Sequence, residues 1–288
     1  MCIRDRADSH LYAWLEAKGI DFNLITDREL HEEGVDSIRD YKALCTGSHP
    51  EYHTPQTLDA LQNYRNQGGR LIYLGGNGFY WKIALSPEDP ELIEIRRGES
   101  GIRAWAAEPG EYYHSFDGAY GGLWRRNGRP PQLLAGVGFS AQGKFEGSYY
   151  RRTAQSRAPD LAWMFEGIED QEILGDFGFS GGGAAGFELD RADVRLGTPE
   201  EVRVVASSEN HTSSFVLVPE EMLTHITNWP GEEEQQKLIR SDIVYFRTPS
   251  GGQVFSTGSI TFCGSLPWND FDNNISRLLE NVIRRFLQ

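Results

Sequence analysis

Residues 44–81, LCTGSHPEYHTPQTLDALQNYRNQGGRLIYLGGNGFYW, contain two short apolar runs that break off at glycine, with a helical pattern between them. YKALCTGS ends in Gly47 and Ser48. Leu58, Leu61 and Tyr64 then share one helical face up to Gly68-Gly69, and RLIYLGG is the next apolar run. Short apolar runs closed by glycine predict strands, and the three- and four-residue spacing predicts a helix. Strand, helix and strand in succession predict a parallel sheet with helices on its faces.

Upstream, Leu11, Trp14, Leu15 and Ile20 recur at helical spacing, Gly19 can stop that helix, and DFNLIT (21–26) predicts another strand. MCIRDR shows no pattern continuous with the helical run from Ala7 onward, so the native protein is expected to start earlier. Downstream, 91–160 is rich in Gly, Trp, Tyr and Arg with recurring turn signals, which predicts a β-rich insertion. EVRVVASSE predicts a strand, and SDIVYFRTPSGGQVFSTGSITF a hairpin turning at Pro249-Ser250-Gly251-Gly252. Ile275, Leu278, Leu279, Val282, Ile283 and Phe286 predict a closing amphipathic helix, with Asp270 or Asp272 as its cap. The expected organisation is one α/β domain (1–90 and 161–288) interrupted by the insertion.

The bulk numbers narrow the function. The chain has 288 residues, 39% hydrophobic and 24% charged, enough for a sizeable core. A formal charge of −14 repels a phosphate backbone, and no basic run exceeds the pairs Arg96-Arg97, Arg125-Arg126 and Arg151-Arg152, so nucleic acid is not an expected partner. No apolar run approaches the ~20 residues of a membrane span, and a cytoplasmic protein is the expectation. Three scattered cysteines, Cys2, Cys45 and Cys263, fit neither a disulfide framework nor a zinc site.

Ligands of open parallel sheets bind beyond the carboxyl ends of the strands. That rule selects His49-Pro50-Glu51-Tyr52 after one strand and Asn77-Gly78-Phe79-Tyr80-Trp81 after the next, and the two tips should face one another. A carboxylate, imidazoles, an amide and phenols in one cleft suit a hard cation. The plainer alternative is that Glu51 caps the following helix and His49 bonds loop carbonyls. Glu188, after the Gly/Ala run GGGAAG, is a candidate mobile base or else a strand-end charge paired with Arg191. Glu209 and His211, beyond EVRVVA, are second-rank candidates. Cys45 lies before its tip, a poor place for a nucleophile.

Taken in order, TGSHPEY, GGRLIYLGGNGFYW, EIRRGESGIRAWAAEPGEYYHS, GGLWRRNGRPPQLLAGVGF, SYYRR, GDFGFSGGGAAGFELDR and GGQVFSTGS resemble the carboxyl-terminal region of the N,N-dimethylformamidase large (beta) subunit family, over nearly the whole chain. The resemblance implies a class I glutamine-amidotransferase-like (flavodoxin-like) fold. It also implies an Fe(III) site with one carboxylate, placed at Glu51, and two tyrosine ligands expected upstream of this chain. His49 would neighbour the metal, Asn77 would hold the substrate carbonyl or the attacking water, and Glu188 would be the acid/base. Phe79, Tyr80, Trp81 and Tyr52 would wall the pocket for a small amide such as N,N-dimethylformamide, hydrolysed to formate and dimethylamine. The same resemblance implies a small companion subunit and a homo-oligomer. Two other readings remain open. One is a metal-free cysteine amidohydrolase using Cys45. The other is a non-catalytic domain binding a small molecule or carbohydrate, with Trp105, Tyr112, Tyr113, Tyr120 and Trp124 available to stack on sugar faces.

Overall fold

The computed structural model describes residues 4–89, 91–97, 108, 110–218 and 231–288, with side chains from Asp8 onward. Helix α1 (Arg4–Ala17) ends where Gly19 takes φ 61° and the Ile20 N–H returns to the Leu15 carbonyl. Helix α2 (Asp27–Glu33) opens with a reciprocal cap, Thr26 Oγ1 accepting from Glu29 N and Glu29 Oε2 from Thr26 N. Between them, 21–25 forms no regular structure and joins no sheet, so the expected strand there is not formed.

Strand β1 (Ala43–Cys45) and the short β2 (Tyr52–His53) flank the first tip, and α3 (Pro55–Asn66) comes after them with Thr54 as its cap and Leu58, Leu61 and Tyr64 buried. Next come β3 (Arg70–Tyr73), β4 (Trp81–Leu85), β5 (Ile93–Ile95), α4 (Pro131–Ala135) and the long β6 (Gly138–Arg152). Strands β7 (Ala185–Arg191), β8 (Arg203–Glu209) and β9 (Val216–Leu217), helix α5 (Glu232–Leu238), the hairpin β10 (Asp242–Arg247) and β11 (Gln253–Ser256), and α6 (Asn274–Leu287) complete the order.

The main sheet runs β1-β3-β11-β10-β8-β6-β7, with β9 also on β6. Only β1–β3 and β3–β11 are parallel; every other pair in it is antiparallel. The expected parallel, glutamine-amidotransferase-like flavodoxin sheet is therefore not the architecture. The cause is the hairpin, which the sequence shows but whose place it does not. A tight turn forces β10 antiparallel to β11, and β11 docks parallel beside β3, so β10 runs against β3 and the strands beyond it, β8, β6 and β7, alternate in direction. A second small sheet, β2-β4-β5, sits beside the first tip.

Of the β-rich segment 91–160, β5 joins the small sheet and β6 the main one, while Trp105 lies outside the described residues. Successive strand residues enter different cores, as the two-residue period requires. Ile72, Ile243, Tyr245 and Phe255 pack with α1 and α6, whereas Leu71, Tyr73, Val244 and Phe246 pack with α2, α3 and α4. Helices thus cover both faces. Trp14 of α1 donates its indole N–H to Ser276 of α6 at 2.8 Å, buried. Among the described residues, no helix is long and apolar enough to cross a membrane.

Candidate functional site

The two tips meet as the strand-end rule predicts. Phe79 N donates to the Pro50 carbonyl at 2.7 Å, and the N–H groups of Tyr80 and Trp81 both donate to the Glu51 carbonyl at 3.0 Å. Glycine is what lets the second tip come this close: a Cβ on Gly75 would lie 2.4 Å from the Ser48 carbonyl oxygen, and one on Gly76 would lie 2.6 Å from that of Glu188. The first tip is tied down by Asp8, whose Oδ1 accepts from Ser48 N at 2.7 Å and Ser48 Oγ at 2.9 Å.

Thr54 caps α3, so Glu51 is not spent on that helix. Instead, His49 Nε2 lies 3.3 Å from Glu51 Oε2 and 3.2 Å from Glu188 Oε2, bridging two carboxylates that belong to distant parts of the chain. All three side chains are only 13–16% exposed. Asn77 Nδ2 donates to Glu51 Oε1 at 3.2 Å, which fixes the amide orientation, since a carboxylate only accepts. Its Oδ1, buried, has no hydrogen-bond partner among the described residues. Burial pushes the Glu51 carboxyl above its ordinary range, with Glu188 adding to the effect; His49, Arg97 and the Asn77 bond pull it back.

Beneath this layer lies a carboxyl that the sequence reading passed over. Asp190, fully buried, accepts from Asn77 N at 2.7 Å and from the Tyr73 hydroxyl at 2.8 Å, and that hydroxyl in turn accepts from Gly78 N at 2.8 Å. This holds Asn77 at φ 52°. The signal was present: Glu188 and Asp190 are two apart on β7 and so share a face. Arg97 is the second omission. Its guanidinium stacks over Trp81 at 4.7 Å and donates to the Tyr52 hydroxyl, whereas the sequence offered Arg96-Arg97 only as a basic pair too short for nucleic acid.

The remaining candidates disperse. Phe79 packs at a tilt against His53 and Tyr73, while Tyr80 and Trp81 are buried in a cluster with Leu123, Phe139 and Val218, with Tyr52 against it. They brace the tips from behind. Glu209 is ion-paired with Arg151, and His211 bonds Ser208 Oγ at 2.7 Å, with burial pushing its pKa down to about 4. Burial holds the Cys45 thiol up at about 12 and that of Cys263 well above its ordinary value, so neither offers the thiolate that a cysteine hydrolase needs. Of the residues offered for the alternative sugar-binding reading, Tyr113 and Tyr120 pack on each other, Tyr113 staying 52% exposed, and Trp124 is buried with its indole N–H on the His53 carbonyl.

Fold and site define a class, an α/β protein whose two strand tips and the middle of β7 gather two largely covered carboxylates, an imidazole and an amide, the equipment for moving protons at a small polar group. Residues 3–274 match the family described as "N,N-dimethylformamidase beta subunit-like, C-terminal", and the chain belongs to that family. It is 42% identical over 282 residues to the N,N-dimethylformamidase beta subunit of Paracoccus aminophilus and 41% identical over the same length to that of Alcaligenes sp.. Each comparison covers 98% of this chain but 37% of the relative, so the chain spans little more than a third of the curated relatives it matches.

Proposed function

We propose that this chain carries the proton-transfer part of a hydrolase that cleaves a small amide, of the kind named for its relatives, N,N-dimethylformamide. The observation that carries the reading is the His49 bridge between Glu51 and Glu188. Asn77 Oδ1 accepts a hydrogen bond from the attacking water, orienting its lone pair on the formyl carbon. Glu188 takes a proton from that water as the carbon–oxygen bond forms, and returns it to nitrogen as the carbon–nitrogen bond breaks. Water and amide thus become formate and dimethylamine, with no other reactant. His49 holds the Glu188 and Glu51 oxygens in register across the cleft.

Among the described residues, no group of three His, Cys, Asp or Glu side chains is disposed to hold a metal ion. Glu51 nonetheless suits one position in the shell of Fe(III). It is a hard oxygen donor, and burial beside a second carboxylate raises its proton affinity, a cost that a cation in place of the proton would offset. Glu51 would supply one ligand and the two tyrosinates would come from outside the described residues. When bound, ferric ion would supply Lewis acidity at the carbonyl oxygen or the water. The relatives are named as beta subunits, which supports a companion subunit; its small size, a homo-oligomer and a cytoplasmic setting complete the reading.

The test is a pair of substitutions assayed for formate and dimethylamine release, with iron measured on the same samples. Glu188→Gln should lower kcat by about 10²-fold or more with iron retained, and Glu51→Gln should lose iron. Undiminished turnover in Glu188→Gln would sink the acid/base assignment.

A further inference from the structure

A cavity of about 910 Å³ opens along the edge of β1 that faces away from β3. Leu11, Leu15 and Ile283 reach it from one core, and Leu30, Ile38 and Leu61 from the other. A cavity that touches both cores of a layered protein lies in the plane of the sheet itself. On one side stands β1, whose hydrogen-bonded neighbour in the sheet is β3. Thr46 N donates to the Ile72 carbonyl, so the alternate peptide groups, those of Ala43 and Cys45, turn toward the groove. All three β1 residues are half-buried, whereas Leu71, Ile72 and Tyr73 of β3 are fully covered.

The cavity is also lined by 21–25, DFNLI. It has strand composition yet forms no regular structure and joins no sheet, and Leu24 is 65% and Phe22 37% exposed. The groove is thus bordered by the outward peptide groups of β1 and by a segment with exposed apolar side chains.

We propose that this groove receives a β-strand, apolar on both faces, from the polypeptide that the curated relatives carry beyond the matched region, and that residues 21–25 pair with that strand's far edge. A strand between two cores must be apolar on both faces, and the groove offers apolar walls above and below. The relatives have the chain to provide it, since the match accounts for 37% of their length. A second copy of this chain is a poor source, because the runs of that composition in β3, β10 and β11 are already buried in the centre of the sheet. The groove ends at Ser48, His49 and Pro50. Whichever way the strand runs, one of its ends lies beside the candidate site and adds residues to it.

The test compares this chain alone with a chimera in which it replaces the matching segment of the Paracoccus aminophilus beta subunit. Residue-resolved amide hydrogen exchange should show alternate fast amides at 43–46 in the chain alone. In the chimera every amide there should be protected, the fast ones slowing about ten-fold or more, with 21–25 slowed alongside. Leu24→Asp should leave the melting temperature of the chain alone unchanged and lower that of the chimera by several degrees. Identical exchange in both proteins overturns the proposal. So does protection that appears in the chain alone as its concentration rises, which would name a second copy as the occupant. If the chimera does not fold, the intact Paracoccus protein serves: alternate fast amides in its strand matching β1 overturn the proposal, and full protection supports it.

Discussion

Asp190 is where burial and hydrogen bonding oppose each other most sharply. The bonds from Asn77 N and the Tyr73 hydroxyl favour its charged form, but burial outweighs them and pushes its pKa up to about 8. The folded chain therefore keeps a proton on Asp190 where the unfolded chain, with an ordinary value near about 3.9, has released it. The stabilisation is fully present below about pH 4 and is lost as pH rises through about 8. Asp190→Asn keeps the shape and cannot titrate, so its urea-unfolding free energy should vary less between pH 5 and 8 than that of the parent; an equal slope would exclude Asp190 as its source. At this scale the sequence pointed to His49, Glu51 and Asn77 through the strand tips that carry them, and to Glu188 through the glycine-rich run before it, and the fold brings these four side chains together. Asp190 shows in the sequence only through its two-residue spacing from Glu188, and its depth beneath the tips is set by Asn77 and Tyr73, residues far away in the chain.

The elements that sequence reveals best are those whose burial follows a local period. Helices α3 and α6 stand where Leu58, Leu61 and Tyr64, and Ile275 through Phe286, placed them, although Asn273 and not an aspartate caps α6. Residues 21–26 have the composition of a strand but not the pairing, because a strand is completed by neighbours that its own residues do not name. The glycine tip is the element on which the site depends most. In Gly76→Ala the added carbon would meet backbone atoms at 2.6 Å (Glu188 O) and 2.9 Å (Ile260 N), neither of which can swing aside. That variant should lose about 1–3 kcal/mol of stability and displace Glu188, read as a lower denaturation midpoint together with a lower kcat. At the start of α3, Thr54→Ala should cost about 1 kcal/mol by the same unfolding assay, since Thr54 Oγ1 takes the Thr57 N–H.

For the whole molecule, the sequence showed an α/β protein with helices on both faces and a late hairpin, and it misjudged the sheet because strand order is set by contacts between residues far apart in the chain. The ends of the described chain meet in one core, where α6 covers α1 and the sheet face that carries Ile72, Ile243 and Phe255. Removing residues 274–288 should abolish cooperative unfolding, with near-ultraviolet circular dichroism lost and dye-binding apolar surface gained; a sharp thermal transition in the shortened chain would show that the remaining layers hold without it. The same interleaving has a consequence during synthesis. Strand β3 leaves the ribosome early, but its partner β11 emerges about 180 residues later, roughly 10–40 s at ordinary elongation rates. Through that interval the nascent chain presents β3 with one side uncovered, so the stretch leading to the candidate site is also the one most in need of a chaperone.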